Sequence, residues 1–289
     1  MRFATAERTV LPPAAAKVFF DGIFSTPRLQ HPEGVAVGPD GAVWCGSENG
    51  QILRIAPDGS AIEEIASSGG FILGLAFDGP EALFACDLRH ACVWRLDIPA
   101  RRLARFTPRG ILIPNYPVVD RAHGVLYVSD SHAFGTPGPG VWRYPLDGSA
   151  GELWYGRPMD FANGMALAPG GGALVVVETF ARRLSRIVIR PDGSAEERAD
   201  LAADLPGLPD GLAYDDDGNL YVACYEPSRI LRLDPAGRVE VYIEDVIAHT
   251  LCHPTNIAFD GRALYAANLG RWHITRIEAD AAGRRLGLG

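Results

Sequence analysis

The sequence predicts an all-β fold, a six-bladed β-propeller that takes residues 1–289 as one domain. Three observations carry that prediction. Six segments repeat one pattern along the chain, each segment reads as a set of hairpins, and no long stretch shows helical periodicity.

The repeats begin at HPEGVAV, FILGLAF, IPNYPVV, FANGMAL, LPDGLAY and HPTNIAF. In each, a short apolar strand comes first and a turn follows, often Asp-Gly as at Asp40-Gly41 and Asp217-Gly218. A second strand rich in β-formers comes next, such as LYVSD or LYVAC. After a polar gap a third strand reads like ILRL or VWRY. Alternating apolar residues around Asp-Gly turns signify hairpins. Gly34, Gly74, Tyr116, Gly164, Gly211 and Asn256 hold the equivalent place, 40 to 48 residues apart. That period, with about four strands per repeat, belongs to propeller blades. The strand around Lys17 to Phe20 is expected to complete the blade begun by the last repeat, which removes a free sheet edge.

Bulk composition narrows the function. The chain has 289 residues, 47% of them hydrophobic, enough to bury a sizeable core. A net charge of −8 with no basic run argues against a nucleic-acid partner. Lys17 is the only lysine, so a Schiff-base mechanism has a single candidate. No run of 18 apolar residues suggests a membrane span. The N-terminal stretch MRFATAERTVLPPAAAKVFF lacks the continuous apolar centre of a secretory signal. Five scattered cysteines, Cys45, Cys86, Cys92, Cys224 and Cys252, show no C-x-x-C spacing and sit in or near apolar runs. These features describe a reduced, cytoplasmic protein acting on a small molecule.

In a propeller the first strand of each blade lines the central channel, so equivalent residues form a ring. The residue before the aligned position is Glu33, Leu73, Asn115, Asn163, Asp210 and Thr255. A purely structural position would be apolar or small throughout. Asn and Asp before Gly are also ordinary turn formers, but four oxygen-bearing side chains in register are hard to explain that way. Two carboxylates and two carboxamides around one axis suit Ca²⁺, Mg²⁺ or Mn²⁺. Without a cation two such carboxylates repel, and one tends to hold a proton.

HPEGVAV, NGMALAPGG and LPDGLAYDDDGNLYVA resemble the family of gluconolactonases and senescence marker protein (regucalcin). The resemblance covers essentially the whole chain, and it implies six blades around one divalent cation in the channel. Calcium leads, with zinc, manganese, magnesium and iron as alternatives. It also implies Glu33, Asn163 and Asp210 as metal ligands. The family's further asparagine beside metal or substrate is matched by Asn115, but Tyr116 replaces the aspartate that usually follows. Ile113 stands where the family's sugar-gripping arginine would be, which points to a less polar ligand than a sugar lactone. NGMALAPGGGALVVVET and FILGLAF also resemble strictosidine synthase-like propellers and their esterase relatives, some of which lack the metal.

The implied activity is a metal-dependent hydrolase that opens a lactone or related ester. Asp210 serves as ligand and general base, and Asn115 holds the substrate or a water. The alternatives are a strictosidine synthase-like or arylesterase-like enzyme, and a non-catalytic calcium-binding propeller. Tyr116 and His132 are further expected to touch substrate. Phe134 and Trp272 are candidates for an apolar wall, His31 and His253 read either as flanking the site or as setting strand starts before proline, and Asp130, Glu178 and Asn268 end second strands near the channel mouth. Two apparent motifs are dismissed. Asp215, Asp217, Asn219 and Glu226 echo an EF-hand loop, but Leu220 replaces its glycine. Gly170-Gly171-Gly172 is a turn with no phosphate-loop lysine after it.

Overall fold

Alternation of apolar and polar residues between Asp-Gly turns builds antiparallel hairpins, and six sets of them curl around an axis. A computed structural model describes residues 9–108 and 110–287. Residues 1–8 of the N-terminal stretch, and the last two residues of the expected domain, lie outside the described residues.

The first strand is β1 (Ala16–Asp21). The first blade follows as β2 (Val35–Val37), β3 (Val43–Gly46), β4 (Gln51–Ile55) and β5 (Ile62–Ser67). The second is β6 (Ile72–Phe77), β7 (Ala82–Asp87), β8 (Cys92–Asp97) and β9 (Arg102–Arg105). The third is β10 (Pro114–Asp120), β11 (Val125–Asp130), β12 (Gly138–Pro145) and β13 (Glu152–Met159). The fourth is β14 (Ala162–Leu167), β15 (Ala173–Glu178), β16 (Arg183–Val188) and β17 (Ala199–Ala202). The fifth is β18 (Pro209–Tyr214), β19 (Leu220–Cys224), β20 (Arg229–Leu233) and β21 (Val239–Glu244). The sixth joins β22 (Pro254–Asn268) and β23 (His273–Gly283) to β1. Among the described residues these make six antiparallel sheets, the six-bladed β-propeller expected.

The sixth sheet is ordered β1-β23-β22. Lys17 pairs with Arg276 and Val18 with Thr275, so a strand from early in the chain closes the last blade. In this blade β22 carries what elsewhere are two strands, with its exposed bend at Gly261 and Arg262 and Gly261 at φ 56°.

The core lies in the six seams between neighbouring blades. Trp44 and Ile52 of blade one meet Leu75 and Phe77 of blade two. Tyr221 of blade five packs edge-on against Phe259 of blade six, ring centroids 5.1 Å apart. Each such buried aromatic or aliphatic side chain contributes about 1.5–3 kcal/mol. At the axis the inner strands approach so closely that side chains are excluded. A Cβ on Gly34 would run into the Leu73 carbonyl, and one on Gly164 into the Asp210 carbonyl. The glycines following the ring residues therefore serve close approach rather than turns. Asn115, Asn163 and Asp210 themselves lie within strands β10, β14 and β18. All five cysteines are buried and free. Among the described residues no helix is long and apolar enough to cross a membrane.

Candidate active site

Strands β2, β6, β10, β14, β18 and β22 start at the same end of the channel, where a chamber of about 340 Å³ opens. Its floor holds Glu33, Asn115, Asn163 and Asp210, with Leu73 completing that side. The four polar ring residues come from four blades and span 177 positions of sequence between Glu33 and Asp210. All four polar side chains are buried.

Their hydrogen bonding is unusual. Seven buried side-chain polar atoms among the described residues have no partner, and four cluster here: Oδ1 of Asn115, Asn163, Asp210 and Asn256. Native proteins pair nearly all such atoms, because an unmade buried hydrogen bond costs about 1–3 kcal/mol. The amide nitrogens, by contrast, each have a partner. Asn115 Nδ2 donates to Ser131 Oγ at 3.0 Å, and Ser131 donates on to the Ala162 carbonyl of the next blade at 2.7 Å. Asn163 Nδ2 donates to Thr179 Oγ1 at 3.1 Å, and Thr179 donates to the Pro209 carbonyl at 2.8 Å. Each relay ties the NH₂ to the scaffold and leaves the amide oxygen unengaged. Asn256 Nδ2 donates to the Glu33 carbonyl at 3.0 Å and to Glu33 Oε2 at 3.1 Å. Thr255 donates to the same carbonyl at 2.7 Å, which fixes Glu33 across the seam between the last and first blades.

Burial dominates the electrostatics. It raises Glu33 well above the usual carboxylate range, the Asp210 charge raises it further, and the Asn256 hydrogen bond offsets part. Burial also pushes Asp210 up to about 7, with the Asn163 amide partly offsetting it. Among the described residues no arginine, lysine or histidine lines the chamber. Two buried carboxylates and three unpaired amide oxygens form a hard oxygen donor set, the chemistry that suits a divalent cation. Among the described residues no group of three or more His, Cys, Asp or Glu side chains is placed to hold a metal, so any cation here would depend on amide oxygens as well as Glu33 and Asp210.

The walls above the floor are apolar and include Phe71, Ile113, Phe134, Phe161, Phe180 and Leu208. Ile113 and Phe134 thus stand where the sequence suggests an apolar surround. Other candidate residues lie elsewhere. Tyr116 does not line the chamber. Successive strand residues face opposite sides of the sheet, so beside Asn115 it turns away from the floor and into the seam with the fourth blade. There it lines a smaller apolar cavity of about 130 Å³ with Met165 and Tyr214. His132 does not line the chamber either. Its backbone sits at φ 61°, its ring packs against Gly138, and its amide donates to Asp130 Oδ1.

Trp272 sits under Arg28, 5.3 Å away, outside the chamber. His31 pairs with Glu48 at 3.1 Å, while His253 stacks on Tyr225 with centroids 4.6 Å apart. Asp130, Glu178 and Asn268 are brackets for loops. Asp130 accepts from the amides of Leu112 and Ile113. Glu178 accepts from the Asp160 amide and from Arg183, and Asn268 accepts from the Cys252 amide. Asp215 caps the β18–β19 turn through the amides of Asp217 and Asn219, as a hairpin requires. Sequence reasoning misses Asn256, Ser131 and Thr179. Asn256 carries a visible signal, an amide in the slot that four blades fill with glycine. The two hydroxyls carry a weaker one, a small polar residue directly after the acid that ends β11 or β15.

The SMP-30/Gluconolactonase/LRE-like region family matches residues 119–268, and the strictosidine synthase-like N-terminal family matches residues 24–55. The strictosidine synthase-like 6 protein of Arabidopsis thaliana is 24% identical over 93% of this chain and 85% of its own. The structure of a gluconolactonase from Xanthomonas campestris superposes with a TM-score of 0.75 at 21% identity, covering 91% of this chain and 89% of that one. Regucalcin from Agrobacterium tumefaciens, a calcium-binding protein, superposes at 0.76 with 16% identity, covering 97% and 99%. With its family match extending over more than half of its length, the chain belongs to the SMP-30/gluconolactonase/LRE-like family.

Proposed function

We propose that this protein is a metal-dependent hydrolase that opens a lactone or a related ester. The observation that carries the reading is the set of buried, unpartnered oxygens beside two raised carboxylates. Glu33, Asn163 and Asp210 would hold one divalent cation, calcium first, with zinc, manganese, magnesium and iron as alternatives. A bound cation supplies charge that polarises the ester carbonyl and stabilises the oxyanion formed on it.

The chain's own residues do the rest. Asp210, as a carboxylate, accepts a proton from the attacking water while the water oxygen bonds to the carbonyl carbon. The ring C–O bond then breaks, and the same proton passes to the departing alkoxide, leaving a hydroxy acid. Asn115, its amide held by Ser131, orients the substrate or that water. The apolar walls exclude bulk water, which strengthens each polar contact on the floor. Residues 1–289 are read as a single domain, because β1 completes the sheet that holds β23. Five free buried cysteines agree with a reducing, cytoplasmic setting.

The test is hydrolysis of a lactone panel with and without chelator. Loss of turnover on chelation, restored by one added cation, is expected. Turnover indifferent to chelator would favour a metal-free, strictosidine synthase-like chemistry. Metal binding without turnover of any member would favour a calcium-binding propeller instead.

A further inference from the structure

We infer that the substrate carries an apolar tail beyond its ring, seated against a wall formed by Phe134, Phe161 and Phe180. The inference rests on the hydrolase reading and names its substrate class: lactones or esters with an alkyl or aryl substituent, rather than polyhydroxylated ones.

Polarity in the chamber is segregated. The carboxylates and amides lie on the floor, the Thr179 hydroxyl is already committed to the Pro209 carbonyl, and Tyr225 is the one other hydroxyl-bearing residue among those lining the walls. A ligand studded with hydroxyls would leave them unpaired against the walls, which is unfavourable. The three phenylalanines come from neighbouring blades and touch one another. Centroids are 4.9 Å apart for Phe134 and Phe161, 5.0 Å for Phe161 and Phe180, and 6.2 Å for Phe134 and Phe180. None of them belongs to a core cluster in the seams between blades. They are therefore not explained by holding the fold together.

Phe161 strengthens the point. It sits at φ 61°, a left-handed backbone that disfavours a bulky side chain, and its ring lines the chamber instead of a seam. Phe134 is 74% exposed and Phe180 41%, so substantial aromatic surface waits to be covered. Covering it with a tail supplies binding that a bare ring cannot reach. A chamber of about 340 Å³ falls within the range of small-molecule sites, about 300–1,000 Å³.

The test uses the full-length, metal-loaded protein and 5-alkyl-γ-lactones from the unsubstituted ring to the heptyl compound. Hydrolysis is measured on the lactones, and binding of the matching non-hydrolysable lactams is measured by calorimetry. Affinity and kcat/KM are expected to rise roughly threefold per methylene over the first several carbons. Phe134→Ala and Phe180→Ala, at exposed positions, are expected to make the rise shallower. The heptyl compound should lose about tenfold more than the unsubstituted ring. A flat series in the intact protein, or a preference for hydroxylated lactones, overturns the inference while turnover itself keeps the hydrolase reading. A rising series in lactam binding without any turnover does the reverse.

Discussion

Glu178 and Asp210 are both buried carboxylates in this propeller, and they behave in opposite ways. Glu178 accepts from the Asp160 amide at 2.9 Å, from Ser185 at 2.5 Å and from two Arg183 nitrogens at 2.8 Å, and Arg198 lies 3.1 Å away. Those partners outweigh the cost of burial and hold its pKa below the usual value. Among the described residues Asp210 has no arginine beside it and one oxygen with no partner, and burial raises it to about 7. Asp87 sides with Glu178, its carboxylate taking hydrogen bonds from the His90 amide and the Trp94 indole. Glu33 sides with Asp210. Burial alone therefore does not mark a site. A buried acid whose charge is satisfied is scaffold, and one whose charge is left unanswered is waiting for something.

Four substitutions or conditions probe that contrast, beginning with the largest effect. Asp210→Asn keeps shape but removes the base and a charged ligand, so kcat/KM on a lactone is expected to fall by about 10²–10⁴-fold, measured in steady state. If activity stays within a factor of two, Asp210 is not the base. Glu178→Gln is expected to leave the chamber intact yet destabilise the fold by about 3 kcal/mol, read from urea unfolding, because Arg183 and Arg198 lose their buried counter-charge. An Asp210→Asn chain without metal should show no such loss.

Thr179→Val comes next. It frees the Asn163 amide to rotate and leaves the Pro209 carbonyl without its hydroxyl donor, so melting temperature falls by a few degrees and cation affinity, measured where the chain is fully folded, is expected to drop by about tenfold or more. Unaltered affinity would remove the relay from the site. The smallest effect is on stability against pH. Asp210 and Glu33 have raised pKa values in the folded chain, so their contribution is present in acid, below the usual carboxylate range, and is lost as pH rises, for Asp210 through about 7. Asp87 and Glu178 have lowered values, and their contribution is lost on the acid side instead. The chelated protein should therefore lose roughly 5 °C of melting temperature between pH 5 and pH 8, and added cation should restore it. Asp210→Asn should flatten that limb. A limb of the same slope in the variant would assign it to other groups.

Much of this was readable in the chain because propeller geometry converts a repeat into a ring. Asp-Gly turns and period-2 alternation marked the hairpins, and a polar residue at the start of inner strands marked Glu33, Asn115, Asn163 and Asp210. The signal faded where chemistry depends on contacts between blades. Thr179 meets Asn163 from 16 residues away and Pro209 from 30, and nothing local distinguishes its hydroxyl from any other. Tyr116 shows the opposite failure. A neighbour of a site residue in sequence becomes its opposite in a strand, and it ends in the apolar cavity at the other end of the channel. Phe161 and Phe180 look like ordinary core aromatics until the seams are drawn and neither is found in one.

The central claim is that the unpartnered oxygens exist to bind one cation. Isothermal titration of the chelated, dialysed protein with calcium, and in parallel with manganese and zinc, addresses it directly. One site per chain is expected for at least one of these ions, and it should be lost in both Glu33→Gln and Asp210→Asn. Heat of binding that persists unchanged in those two variants, or none in the parent chain with any of the three ions, would contradict it.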